Sequence, residues 1–205
     1  LMDAVRTLRT WRLKGINVTV PHKEKIIQWL DRLDDTALLL GAVNVVVVKD
    51  EELVGYNTDG IGFAKALDFN QINLNGKQVA LLGAGGAARA VLSVLIERGV
   101  RKVIVFNRSF ERSLQFQQWA KNSFTTVIEI DNWESFINGQ SSFLSQVDVL
   151  IGLLPGDGIV NKFQLTGDVK LNLQNALSGG EAIIVNWQQL QRKSPRLNLA
   201  FNQPY

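Results

Sequence analysis

Runs of apolar residues alternate along this chain with amphipathic stretches, and the two periods predict strands and helices in turn. Val79 to Leu82 is a short run of small apolar residues, as expected of a strand buried on both faces. It ends in Gly83-Ala84-Gly85-Gly86-Ala87-Ala88, and an apolar-rich, proline-free stretch then runs to Gly99, which predicts a helix. Lys102 to Phe106 predicts the second parallel strand of a βαβ unit. Ser113 to Ala120 reads as helix, Thr125 to Ile130 as strand, and Asn132 to Leu144 as helix and loop. Val147 to Leu154 is a further buried strand closed by Pro155-Gly156-Asp157-Gly158, and Ala182–Val185 and Leu197–Phe201 are the last strand-like runs. Gln188 to Arg196 fits neither period. Strands alternating with helices in this way place the chain in the α/β class.

The first seventy residues carry a different pattern. Val5, Leu8, Trp11 and Leu13 mark a short amphipathic helix, and Gly15 to Val20 alternates as a strand that Pro21 ends. A helix is predicted from His22 through Leu30, which puts Lys23 at a strand-to-helix junction. Asp34 to Leu40 is helical. Gly41 to Val48 is a strand with one polar residue, Asn44, near its start. Lys49 to Glu52 turns the chain and Leu53 to Tyr56 returns as a hairpin strand. Asn57-Thr58-Asp59-Gly60 then precedes a helix over Ile61 to Leu67, which Thr58 or Asp59 is placed to cap. Phe69 to Lys77 reads as a linker.

Composition narrows the chemistry. Lys and Arg exceed Asp and Glu by only 3 in 205 residues, too small a surplus for nucleic acid but suited to an anionic small ligand. The absence of cysteine removes disulfides, zinc–thiolate sites and thiol nucleophiles. A single histidine, His22, argues against a histidine metal cluster. No run has membrane length and no signal-peptide pattern opens the chain, so the expected compartment is the cytoplasm. The start at Leu1 and the end after Pro204-Tyr205 suggest a fragment at one or both ends.

The glycine stretch fits the dinucleotide fingerprint G-x-G-x-x-G/A. Gly83 permits the turn, Gly85 lets backbone approach a pyrophosphate, and Ala88 lets helix pack on strand. The free N–H groups of the new helix face the phosphates. The next strand ends in Asn107-Arg108-Ser109-Phe110-Glu111-Arg112. An NAD site usually has an acid at the strand end. Two arginines and a serine suit a 2′-phosphate instead, which favours NADP.

The strings GINVTVPHKE, GAVNVVVV, GYNTDGIGF, LLGAGGAARA and NRSFER, in this order, resemble the shikimate dehydrogenase family, from about Gly15 to Arg112 and more loosely to Leu150. The resemblance implies a partial N-terminal α/β substrate domain over residues 1–70. A Rossmann-like NADP-binding domain, truncated at its C-terminal end, would follow over 71–205, with the active site in the cleft between them. It implies NADPH-dependent reversible reduction of 3-dehydroshikimate to shikimate by a monomer or homodimer acting on a small molecule. Lys23 and Asp59 match the family's catalytic pair, Thr19 and Asn44 its substrate-binding positions. Gly83, Ala84, Gly85, Gly86 and Ala87 match the pyrophosphate loop, and Asn107, Arg108, Ser109 and Arg112 the adenosine-phosphate clamp. His22 is left as structural or solvent-exposed.

The chain departs from the pattern at several points. The family's N-terminal Ser-x-Ser and C-terminal glutamine helix do not occur in it. Where the family has Asn-x-Thr-Pro before a glycine, this chain has Gly152-Leu153-Leu154-Pro155. Asn198 to Asn202, or alternatively Val185-Asn186-Trp187, stands where the family has Asp-Leu-x-Tyr-Asn. These departures keep open a weak or inactive homologue that binds a nucleotide or metabolite, and a quinate/shikimate dehydrogenase, which shares most of these motifs, is the other alternative.

Overall fold

The computed structural model describes residues 1–153 except Arg12, Val20 and Val127, together with three strands in the remainder. Helix α1 (Met2–Thr10) leads into a mixed sheet of β1 (Gly15–Asn17), β2 (Arg32–Leu33), β3 (Val45–Lys49) and β4 (Glu52–Tyr56), in the order β1-β3-β4-β2. Helix α2 (Asp35–Leu40) lies between β2 and β3, and Asp34 caps it by accepting from Ala37 N at 2.8 Å. Val5, Leu8, Val18, Ile26, Ala37, Val43, Val46 and Leu53 form the core of this part. The predicted hairpin is present: β3 and β4 pair antiparallel around Asp50 and Glu51, both at positive φ as a two-residue turn of this hand requires.

Three predictions here need correction, one being the strand expected from Gly41, which begins at Val45 and leaves Asn44 in the preceding loop. The strand expected over Gly15 to Val20 stops at Asn17. The helix expected from His22 is a turn followed by a short 3₁₀ helix over Lys25–Trp29, so Lys23 lies in the turn. The cause is a competing partner. Val43 N donates to Lys23 O at 2.8 Å, and a carbonyl drawn towards Val43 is lost to the helical ladder.

Helix α3 (Asp59–Phe69) begins earlier and ends later than predicted. Beyond it lie β5 (Gln78–Leu82), α4 (Gly86–Glu97), β6 (Lys102–Phe106), α5 (Phe110–Ser123), β7 (Ile128–Asp131), α6 (Trp133–Ile137) and β8 (Val149–Gly152). The four strands are parallel in the order β7-β6-β5-β8. The chain winds outward from β5 to β7 and then returns to the other side of β5. This makes the carboxyl ends of β5 and β8 a topological switch point, where open α/β sheets bind ligands. Buried Leu81, Val91, Leu95, Ile104 and Phe106 lie at the centre of this core. Phe63 and Leu67 of α3 belong to it as well, and Arg98 at the end of α4 grips Asp68 through two bonds of 2.6 and 2.8 Å. The boundary expected at residue 70 thus falls after a helix that packs on the second sheet.

The last strands, β9 (Lys170–Gln174), β10 (Ala182–Gln188) and β11 (Arg196–Asn202), form a separate antiparallel sheet in the order β11-β10-β9. Two of them extend the strands predicted at 182–185 and 197–201, and β9 is not among the strands predicted. Leu154 and Pro155, where the chain departs from the family's Thr-Pro, lie outside the described residues. Among the described residues no helix is long and apolar enough to cross a membrane.

Candidate active site

The polar string Asn57-Thr58-Asp59 sits between β4 and α3, and its side chains face the loop before β3. Asp59 is the first residue of α3, with none of its surface exposed, and Lys23 is 6% exposed. Lys23 Nζ donates to Asp59 Oδ2 at 2.8 Å, and Asn44 Nδ2 donates to Asp59 Oδ1 at 2.7 Å. Each carboxylate oxygen therefore has its own donor, which fixes the plane of the carboxylate. Asn44 is held in turn, since its Oδ1 accepts from Thr58 N at 2.9 Å. Asn57 braces the same turn by donating to Ala42 O at 2.9 Å and accepting from Asp59 N at 3.1 Å.

Burying a charged pair is costly unless its remaining hydrogen-bond capacity is met. Here Asp59 is fully engaged, while Lys23 has three donors and shows one bond among the described residues. The spare donors are what a reacting oxygen needs. Capping, the simpler use for Thr58 or Asp59, is not what they do: Thr58 is the residue before α3, but its side chain makes no cap bond. Thr19 is exposed on the segment that leads to Lys23, where its carbonyl accepts from His22 N at 2.8 Å. Asn57 and Thr58 were not singled out as site residues. Three consecutive polar residues at a strand-to-helix junction were the available signal.

The glycine loop lies against this cluster. Gly83, at φ +112°, carries the turn from β5, and a Cβ there would stand 3.1 Å from Leu153 O. At Gly85 a Cβ would meet nothing within 4 Å, so the loop is open on that side. Helix α4 begins at Gly86 with no side-chain cap, leaving its first N–H groups to a ligand. Ala84 and Ala87 pack on the core and hold the loop in place. The residues present thus fit a dinucleotide pyrophosphate. At the end of β6, Arg108, Ser109 and Arg112 are exposed and Asn107 is half-buried. Ser109 caps α5 by accepting from Arg112 N at 3.3 Å, and Asn107 Nδ2 donates to Ser109 O at 2.8 Å. Neither arginine head is drawn into the protein, as a site for a phosphate at the surface requires.

At Gly86 the two halves approach closely. A Cβ there would lie 2.8 Å from Ala42 Cβ and 3.7 Å from Lys23 Cβ. Gly86→Ala is expected to cost about 1–3 kcal/mol, because the overlap is met by packed backbone segments on both sides. Thermal unfolding measures the loss, and adding Ala42→Gly should restore most of it. No recovery in the double variant would show that the contact is not limiting.

Comparison with known proteins places this geometry in a lineage. Residues 1–46 match the family described as "Shikimate dehydrogenase substrate binding domain", and residues 65–151 match "Shikimate / quinate 5-dehydrogenase". The chain is shikimate dehydrogenase-like over both stretches. The "Shikimate dehydrogenase (NADP(+))" of Bacillus cereus (strain B4264) is 47% identical over 114 residues, which are 55% of this chain and 41% of that protein. The crystal structure of shikimate dehydrogenase from Aquifex aeolicus superposes with a TM-score of 0.65 at 35% identity, covering 78% of this chain and 58% of that one. The shikimate 5-dehydrogenase of Thermus thermophilus, solved in complex with NADP(H) and shikimate, gives a TM-score of 0.60 at 31% identity, covering 75% and 52%. The match spans about two fifths of the curated shikimate dehydrogenases, and the second family match ends at Ile151, just before the Gly152 departure.

Proposed function

We propose that the protein carrying this chain catalyses the NADP-dependent, reversible reduction of 3-dehydroshikimate to shikimate, a step of chorismate and aromatic amino-acid biosynthesis. The observation that carries the reading is the buried Lys23–Asp59 pair, 2.8 Å apart and packed beside the first residue of the dinucleotide helix. The naming of the Bacillus cereus relative and the ligands of the Thermus thermophilus structure support the cofactor and the substrate.

In the oxidising direction, the C–H bond of a hydroxyl-bearing carbon breaks with both electrons leaving as hydride, and the O–H proton must go elsewhere. NADP, when bound, supplies the hydride acceptor. Lys23 donates a hydrogen bond to the reacting oxygen and stabilises the charge that develops there. Asp59 orients Lys23, and the pair exchanges the hydroxyl proton as a unit. Asn44, committed to Asp59 and Thr58, orients the carboxylate, and Thr19 offers an exposed hydroxyl to a substrate ring. The residues that would hold NADP are Gly83 to Ala87 at the pyrophosphate and Asn107, Arg108, Ser109 and Arg112 at the adenosine phosphate. We place the substrate domain over residues 1–70 and the NADP domain over 71–205, and read the protein as a cytoplasmic monomer or homodimer without nucleic-acid or membrane partners.

The full-length protein should form NADPH from shikimate and NADP, followed by absorbance. No signal above that of Lys23→Ala would refute the reading. Arg108→Ala should raise the KM for NADP about tenfold or more, as expected for one lost charged hydrogen bond, with little change for NAD. Equal effects on both cofactors would remove Arg108 from the clamp. A second reading, a nucleotide-binding homologue without turnover, draws on Gly152 and Leu154, which stand where the family has its polar Asn and Thr; Gly152 ends β8 beside Leu82 of β5, just before the glycine loop. NADP binding with no turnover of shikimate or quinate would favour it.

A further inference from the structure

Two side chains of the second half hold the end of a helix in the first. Arg89, on the first turn of α4, donates from Nη1 to Leu40 O at 3.0 Å. Trp119, on α5, donates from Nε1 to Leu39 O at 3.0 Å. The Arg89 guanidinium lies over the Trp119 ring, 5.2 Å from its centroid, so the two donors brace one another. Both accepting carbonyls belong to the last turn of α2, where a helix lacks internal donors and carries the negative end of its dipole.

The next four residues of the chain connect this grip to the site. Gly41 leaves α2 at φ +58°, and a Cβ there would stand 2.8 Å from Arg89 Nη1. Ala42 is the residue that touches Gly86, Val43 N holds the Lys23 carbonyl, and Asn44 holds the Asp59 carboxylate. The residues directly after the gripped carbonyls therefore carry the contacts that place Lys23 and Asp59 beside the glycine loop. Arg89 Nε, meanwhile, is buried with no hydrogen-bond partner among the described residues.

We infer that Arg89 and Trp119 are positioning residues: their grip on Leu39 and Leu40 sets where the Lys23–Asp59 pair stands relative to the dinucleotide loop. The grip acts on turnover and leaves nucleotide affinity alone. This rests on the proposed reading of the two sites. Displacing a reacting group by about 1 Å can cost on the order of a hundredfold in rate.

The test uses Arg89→Met, Arg89→Lys and Trp119→Phe in the full-length protein. Trp119→Phe keeps a ring under the guanidinium and removes only the N–H. Arg89→Met should lower kcat by at least tenfold while the Kd for NADP, titrated directly, stays within twofold. Arg89→Lys should recover part of the loss, and Trp119→Phe should show a smaller fall of the same kind, which also serves if Arg89→Met does not fold. Amide hydrogen exchange over Gly41 to Asn44 should quicken in Arg89→Met and Trp119→Phe. Unchanged kcat with lowered Tm would reduce the grip to a stabilising contact, and a Kd for NADP rising in step with the loss of kcat would make Arg89 a nucleotide ligand; either overturns the inference. If the wild type forms no NADPH from shikimate, the proposed function fails, and the inference is then decided by exchange. Unchanged protection over Gly41 to Asn44 overturns it.

Discussion

Lys23→Met is expected to lower kcat by about 10² to 10⁴, the span of a positioned proton-transfer group. Methionine keeps the length and apolar stem of lysine and removes the ammonium. Lys23 is nearly buried, and its one bond among the described residues goes to Asp59. Removing the charge thus removes the donor we propose for the reacting oxygen and keeps the apolar packing filled, while the Asp59 carboxylate, left without its counter-charge, lowers stability as well. The Kd for NADP should change little, because the part of Lys23 that would meet a Cβ at Gly86 is its own Cβ, which methionine retains. Steady-state kinetics with direct NADP titration checks both halves of the expectation. A kcat within threefold of wild type would remove Lys23 from the chemistry.

Asp59→Ala should destabilise the fold strongly. It leaves the Lys23 ammonium buried without its counter-charge and deprives Asn44 Nδ2 of an acceptor. Breaking a buried pair from one side costs about 3–5 kcal/mol, a large share of the stability of most domains. Asp59→Asn does not rescue it, because the asparagine amide turns an N–H donor towards either Lys23 or Asn44, both of which already donate. Lys23→Met combined with Asp59→Leu removes both charges together and should recover most of the stability, since apolar residues of similar volume replace buried pairs at little cost. The double variant should remain inactive. Denaturant unfolding beside the NADPH assay separates the two effects, and a double variant as unstable as Asp59→Ala would show that the pair's charges are not what the fold depends on.

These expectations differ in how far residue patterns anticipate them. The glycine loop and its flanking elements were legible because each signal is local. A run of small apolar residues, a glycine able to reach φ +112° and a proline-free helix act over a few residues each. The turn at Lys23 was not legible, since the bond that displaces the expected helix comes from Val43, twenty positions away. Strand β9 also escaped, as its alternation is only five residues long. Nor does anything local in α3 say that Phe63 and Leu67 pack on the second sheet.

From the sequence alone come the α/β class, the dinucleotide loop from Gly83 to Ala87, the arginines after β6, and the family likeness through its ordered strings. Backbone preference and hydrophobic period decide such features within one element. Tertiary structure alone joins Lys23 to Asp59 across 36 positions, turns Asn44 from a strand residue into the holder of a carboxylate, and brings Gly86 against Ala42. It also sets Arg89 and Trp119 on the end of α2, where nothing in their neighbouring residues marks them. Those contacts depend on how two separately packed layers meet, and no periodicity within either layer encodes the distance between them.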